Sequence, residues 1–203
     1  MNFRYKFSIV LICLGLVAAI MSFRGSQRTV TPPQEILDIL LSGENLINAD
    51  QAAKILIEED SSVQFVDIRT HDEFRERSIP GAFNIPLNNL LKPGNESILG
   101  RKSMKTIFYE NSDIVSTQAW ILAMQTGYRS TFILKGGLAE WDSIVMLSEF
   151  KGDKITPDEN AIFESRYKAR RLFRDWNAMP DSLKAGFYAA KQKKEKELVG
   201  GCE

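Results

Sequence analysis

Thiols and imidazoles are nearly absent from this chain: of 203 residues, two are cysteine, Cys13 and Cys202, and one is histidine, His71. That inventory excludes a disulfide framework and a Cys/His zinc site. It also confines any thiol chemistry to two residues near opposite ends of the chain. Net charge is absent too, since 26 Lys and Arg balance 26 Asp and Glu, which excludes a wholly basic nucleic-acid binder. Compositional bias is missing as well: 44% apolar and 26% charged residues describe neither a disordered chain nor a polytopic membrane protein. At this length the chain holds one globular domain with additions, or at most two small ones.

One long apolar run is present. Between Lys6 and Arg24, residues 7–23 contain no charge and only Ser8 and Ser22 as polar side chains. As a helix they would extend about 25 Å, the short end of a membrane span. Three readings follow, an uncleaved transmembrane anchor within residues 1–24, a signal peptide removed after export, and a buried core helix. The run exceeds the usual signal core and lacks an A-x-A site, which favours the anchor. Cys13 sits mid-run behind bulky Ile12, against lipoprotein processing. Arg4 and Lys6 favour an inside N-terminus, so the expected location is the bacterial inner membrane, with the remaining chain on the extracytoplasmic side.

Residues 25–46 are expected to form a Pro-terminated linker and a short helix, Gln34 to Leu41, stopped by Ser42-Gly43. Asn48 or Asp50 can cap the next helix, with Ala52, Ala53, Ile55 and Leu56 on one face. Val63 to Asp67, Thr106 to Tyr109 and Thr131 to Leu134 are short apolar strands, and Val115 to Gln125 is helical in pattern, ending at Gly127. Strands alternating with helices imply an α/β fold built on a parallel sheet covered on both faces. The domain is expected over 47–150. Beyond it, over 151–203, Thr156-Pro157-Asp158-Glu159 is a capping box with proline at the first helical position. It opens an apolar stripe of Ile162, Phe163, Tyr167, Phe173 and Trp176, and Pro180-Asp181 precedes a second helical segment. The zero net charge hides an asymmetry: residues 24–164 carry 14 basic and 21 acidic groups, whereas residues 165–203 carry 10 and 5. An acidic domain is followed by a basic helical tail.

Val66-Asp67-Ile68-Arg69, then Asp72-Glu73-Phe74, then Ile79-Pro80-Gly81-Ala82-Phe83-Asn84-Ile85-Pro86 stand in order, followed by Gly127-Tyr128, Leu134-Lys135-Gly136-Gly137 and Trp141. The residues alone indicate that Asp67 and Arg69 close a strand end where an ion pair can fix the next loop, and that Ile79 to Ala82 form a tight turn into a strand. In this order and spacing these pieces resemble the rhodanese homology domain over roughly residues 47–145. The resemblance implies a parallel five-stranded sheet flanked by helices, with Asp67, Arg69, Glu73, Pro80, Gly81, Gly136, Gly137 and Trp141 as its structural motif.

In active members of that family the fourth strand ends in a cysteine that opens a six-residue loop into a helix. The backbone N–H groups of the loop and the helix N-terminus cradle an anion and hold the persulfide. By resemblance that loop is Glu110, Asn111, Ser112, Asp113, Ile114 and Val115, with Ser116 entering the helix. Glu110 takes the place of the cysteine, Asp113 that of a glycine and Val115 that of an arginine. A carboxylate oxygen cannot carry a transferable sulfane sulfur, losing the arginine strips the cation for an anionic donor, and the two added carboxylates repel anions. Either Glu110 places its own carboxylate in the N–H cradle, or the loop has drifted and Glu110 points into water. No catalytic residue is expected there.

Other readings are thinner. Glu110 and Asp113, three apart, lack the further ligands a metal needs, and no metal or cofactor is expected. His71 lies in an expected surface loop without a thiol or hydroxyl partner, Ser112 has no histidine base beside it, and Trp120 and Trp141 belong to the core. Cys202, behind Gly200-Gly201, is a thiol on a frayed terminus, a candidate for an intermolecular disulfide, or the carrier of the chain's own sulfur chemistry. The basic helix, with Arg166, Lys168, Arg170, Arg171 and Arg174, can meet an acidic protein partner or the domain's own acidic surface. The expected function is therefore a membrane-anchored, catalytically degenerate rhodanese-like module for binding, scaffolding or regulation. The alternative is a sulfurtransferase or thiol-handling protein that uses Cys202.

Overall fold

The computed structural model describes residues 12–15, 30–101, 103–149 and 156–200, with side chains to Lys191. The chain divides into two compact units, Met1–Val30 and Thr31–Glu203. In the first, residues 12–15 are helical with Ile12 and Leu14 exposed and Cys13 a free, exposed thiol. The rest of the apolar run over 7–23, and Cys202, lie outside the described residues. Among the described residues no helix is long and apolar enough to cross a membrane.

The second unit opens with α1 (Pro33–Ser42), whose chain reverses at Gly43 in the left-handed region at φ 71°. Strand β1 (Leu46–Ile47) leads to α2 (Ala49–Ile57), where Asn48 and Gln51 form a reciprocal capping box. Then come β2 (Val63–Asp67), α3 (His71–Glu76), β3 (Phe83–Asn84), a 3-10 turn at Leu87–Asn89 and α4 (Glu96–Leu99). Strand β4 (Lys105–Tyr109), α5 (Asp113–Gln125), β5 (Thr131–Leu134) and α6 (Gly137–Trp141) complete the α/β part, and α6 runs into a π-helical turn at Asp142–Met146. The three strands and the central helix expected from apolar runs are found within a residue or two of their expected limits. The two-residue strands β1 and β3 carry too little pattern to announce themselves.

All five strands are parallel, in the order β1-β5-β4-β2-β3. Alternation along each central strand feeds two cores. Val66, Phe108 and Ile133 point into a cluster with Ile36 of α1 and Trp120 of α5. Phe65, Ile107 and Leu134 point into the other, with Ala52 and Ala53 of α2 and Trp141 of α6.

The second core is closed by the extension. Helix α7 (Pro157–Ala178) begins at the expected Thr156–Glu159 capping box and buries Ala169, Phe173 and Trp176, with the Phe173 ring 5.8 Å from that of Trp141. The expected stripe is narrower than the sequence suggested. Ile162 and Tyr167 are 43% and 54% exposed because the face toward the domain is carried instead by Arg166, which pairs with Asp50 at 2.6 Å, and Arg170, which donates to the Val145 and Ser148 carbonyls. Helix α8 (Asp181–Gly200) rests on the turn before β3. There Tyr188 Oη–H donates to the Ala82 carbonyl at 2.6 Å, Lys191 donates to the Gly81 carbonyl at 3.1 Å, and the rings of Trp176 and Phe187 meet edge to face at 5.2 Å.

Candidate functional site

The strand order reverses between β2 and β4: from β2 the chain moves outward to β3, and from β4 it moves the other way to β5. In parallel α/β sheets the crevice outside the carboxyl ends at such a switch point is where ligands bind. Asp67 and Tyr109, the last residues of β2 and β4, are in register there, and the Glu110 loop leaves directly above them.

Asp67 is fully buried and pairs with Arg69, whose Nη2 lies 2.6 Å from Asp67 Oδ2 with side-chain exposure of 5% and 0%. Asp67 Oδ1 also accepts the Arg69 N–H at 2.9 Å. Burial opposes the Arg69 charge, but the hydrogen bonds and charge of Asp67 outweigh it and hold the guanidinium above its ordinary value. Arg69 then reaches outward, donating to the Arg77 carbonyl at 2.6 Å and to Asn111 Oδ1 at 3.4 Å. Tyr109 is buried, and its phenol oxygen accepts the Ile79 N–H at 3.1 Å. Burial first, and the Asp67 charge second, push this phenol well above its ordinary value, so it stays protonated. Glu73 closes the mouth from α3. It caps the helix with Thr70, whose hydroxyl and N–H hold its pKa below the usual carboxylate value, and it accepts from Asn111 Nδ2 at 3.5 Å.

The connection between β4 and α5 is shorter than expected. In place of six residues running to Val115, it has three, Glu110, Asn111 and Ser112, and the helix starts at Asp113 with Ser112 as N-cap. Asp113, Ile114 and Val115 form the first helical turn, and the Thr117 hydroxyl donates back to the Asp113 carbonyl at 2.7 Å. Val115 packs against the core cluster that contains Trp120, so the position expected to hold an arginine is a packing position. Ile114 is 69% exposed.

Each added carboxylate holds a backbone N–H. Glu110 Oε2 accepts the Ser112 N–H at 2.9 Å and the Ser112 hydroxyl at 3.4 Å. Asp113 Oδ2 accepts the Gly136 N–H at 3.4 Å. Both carboxylates sit at the positive end of the α5 dipole, where negative charge is stabilised. Besides adding negative charge, Glu110 occupies one loop donor, the Ser112 N–H, while Asp113 holds an N–H outside the loop, that of Gly136.

Gly136 and Gly137 explain how the loop lies so low. Both adopt left-handed backbone, at φ 62° and 58°, and Gly137 abuts the loop main chain: a Cβ there would meet Asn111 C and Ser112 N at 2.7 Å. This approach lets Leu138 N–H bond the Glu110 carbonyl at 2.8 Å and Ala139 N–H bond the Asn111 carbonyl at 3.1 Å. The loop is thus fixed by Arg69 beyond the end of β2, by α3 and by α6 at once.

Of the motif residues, Asp67, Arg69, Glu73, Gly136 and Gly137 converge on this site. Pro80 and Gly81 form the turn gripped by α8, and Trp141 lies in the core beneath. His71 begins α3, exposed, and lines an open groove with Asn84, Asn89, Lys92 and Asn95 away from the Glu110 carboxylate. Among the described residues no group of three or more His, Cys, Asp or Glu side chains is placed to hold a metal ion. Asn111, expected as a loop residue, and Tyr109, expected as a strand end, were given no role from sequence, yet they tie the loop to Arg69 and Glu73 and the strand end to Ile79. Their signal was positional, as neighbours of Glu110 at the end of a central strand.

Comparison with known proteins agrees on the domain. The sequence model of the rhodanese-like domain matches residues 48–144. The uncharacterized protein BU052 of Buchnera aphidicola is 34% identical over 103 residues, covering 50% of this chain and 69% of that protein. The uncharacterized protein YibN of Escherichia coli K12 is 29% identical over 103 residues, covering 50% and 70%. Among solved structures, the rhodanese-like domain of the Anabaena Alr3790 protein is similar at a TM-score of 0.45 and 22% identity, over 55% of this chain and 89% of that one.

Proposed function

The chain belongs to the rhodanese-like family, and from that premise we propose that it is a degenerate member whose active-site position is sealed by its own side chains, and that it works by binding rather than by sulfur transfer. One observation carries the reading: Glu110, at the end of β4, turns its carboxylate onto the Ser112 N–H at 2.9 Å. The carboxylate takes the place of an anionic group in the cradle and offers no sulfur nucleophile. Val115, turned to the core, removes the cation that would draw an anionic donor. The apolar run over 7–23 supports a membrane anchor that presents the domain at the extracytoplasmic face of a bacterial inner membrane.

For the partner we assign the outer face of α7. Arg166 and Arg170 are spent on Asp50 and on carbonyl oxygens, and Lys168 pairs along the helix with Glu164 at 3.7 Å, which leaves Arg171 and Arg174 exposed to meet an acidic protein segment. Thiosulfate:cyanide sulfurtransferase assays test the central claim. The full chain is expected to produce no thiocyanate above background; turnover that persists in Cys202→Ser would overturn the proposal. Turnover abolished by that substitution, with a persulfide found on Cys202 by mass spectrometry, would establish the tail thiol as the carrier instead.

A further inference from the structure

Three consecutive residues, Arg77, Ser78 and Ile79, stand between the sealed loop and the C-terminal extension. The outer two serve the site: the Arg77 carbonyl accepts from Arg69 at 2.6 Å, and the Ile79 N–H donates to the Tyr109 phenol at 3.1 Å. The middle one is held entirely by α7. Ser78 is 2% exposed, and each of its polar groups meets the extension. Its N–H donates to Asn177 Oδ1 at 2.8 Å, its carbonyl accepts from Asn177 Nδ2 at 3.0 Å, and its hydroxyl accepts from the Trp176 indole N–H at 3.2 Å. Asn177 is itself fixed by donating to the Phe173 carbonyl at 2.7 Å, so both donor positions of its amide are used and its orientation is set.

We propose that Asn177 and Trp176 form a latch: through Ser78 they fix the Arg77 carbonyl and the Ile79 N–H, and thereby hold Arg69 and Tyr109 where the Glu110 loop stays closed. Asn177 is a positioning residue, acting on a loop it does not touch. The chain of contacts is short and continuous, from Asn177 to Ser78, to Arg77 and Ile79, to Arg69 and Tyr109, and on to Asn111 and Glu110. A segment gripped on both sides by buried hydrogen bonds has a well-defined bound geometry and loses it when one side lets go. The extension thereby becomes a control point for the site, and a partner that draws the end of α7 away loosens the loop from behind. This deepens the sealed-site reading and rests on it, but its test is separate, because it reads amide exchange and not sulfur transfer.

The test is hydrogen exchange on the full-length chain, comparing Asn177→Leu, Asn177→Asp and, as a control, Arg166→Ala, which loosens α7 at its distant contact with Asp50. In Asn177→Leu, the Ser112, Leu138 and Ala139 amides, which close the loop, are expected to exchange at least tenfold faster, while the sheet ladder, read at the Ile107, Phe108 and Ile133 amides, is unchanged. Asn177→Asp, which keeps the acceptor for the Ser78 N–H and loses the donors, should fall between, and Arg166→Ala should leave the loop amides as they were. The proposal is overturned if the Ser78 amide speeds up while the loop amides do not. It is overturned equally if ladder and loop speed up together, or if Arg166→Ala loosens the loop as much as Asn177→Leu.

Discussion

Replacing Gly137 by alanine tests how closely the loop is bound. Two costs add. At φ 58° an L-residue carries a backbone penalty of about 1–2 kcal/mol. The new Cβ would also stand 2.7 Å from Asn111 C and Ser112 N, and because these are main-chain atoms the loop must lift away. Lifting it breaks the Leu138 and Ala139 hydrogen bonds to Glu110 and Asn111, at roughly 1 kcal/mol each. The expected loss is therefore about 3–4 kcal/mol. Gly43→Ala is the internal reference, since Gly43 has φ 71° and meets only Leu46 Cδ1, at an ordinary 3.7 Å, so it should lose the backbone penalty alone. Urea unfolding followed by tryptophan fluorescence, with an unchanged m-value, measures both. If Gly137→Ala falls within about 0.5 kcal/mol of Gly43→Ala, the loop does not lie against Gly137 and the account of the seal fails.

Three further outcomes are expected. Asp67→Asn leaves the Arg69 charge buried without its partner and should lose about 3–5 kcal/mol, whereas removing both charges with Asp67→Asn and Arg69→Leu should recover much of it; a double-mutant cycle on thermal melts that shows simple additivity would contradict the coupling. Deleting residues 156–203 strips all three polar partners from buried Ser78, at about 1–3 kcal/mol per orphaned group. Together with the lost burial of Phe173 and Trp176 this approaches the whole stability of a domain, so residues 31–155 alone should lack a dispersed amide NMR spectrum, and a cooperative melt from that fragment would be evidence against an integral extension. Acid should weaken the fold through Glu73, held below its ordinary value of 4.5 first by the Thr70 hydroxyl and then by the Thr70 N–H. Because the native value is the lower one, its stabilisation is complete above 4.5 and disappears as pH falls through the depressed value; Glu73→Gln should flatten that part of the acid limb, and an unaltered pH dependence of the urea midpoint would count against the cap.

The α/β core was legible because its strands are short apolar runs between recognisable turns, and because the Thr156–Glu159 capping box marks a helix start by chemistry alone. The site was legible in identity and not in shape. That Glu110 stands at the end of β4 follows from the order of the motifs, but the early start of α5 does not, since Asp113, Ile114 and Val115 have no strong helical preference and are recruited by the Gly136 N–H and by core packing of Val115. Tyr167 and Ile162 misled because periodicity cannot tell whether the domain side of a helix is met by rings or by arginines whose acceptors lie 116 residues away, as Asp50 does for Arg166. Ser78 and Asn177, 99 residues apart, carry no local pattern at all.

The three-residue connection between β4 and α5 sets how this protein can change by mutation. In a chain that had merely lost its nucleophile, one codon at position 110 would bring the chemistry back. Here a cysteine at that position would face a helix already wound from Asp113, a Val115 committed to the core and a glycine turn pressed onto the loop backbone. Return would require the first turn of α5 to unwind and the packing beneath it to be rebuilt in the same step. Under the binding role proposed above, the three-residue connection acts as a ratchet, leaving the surface around Glu110 free to diverge.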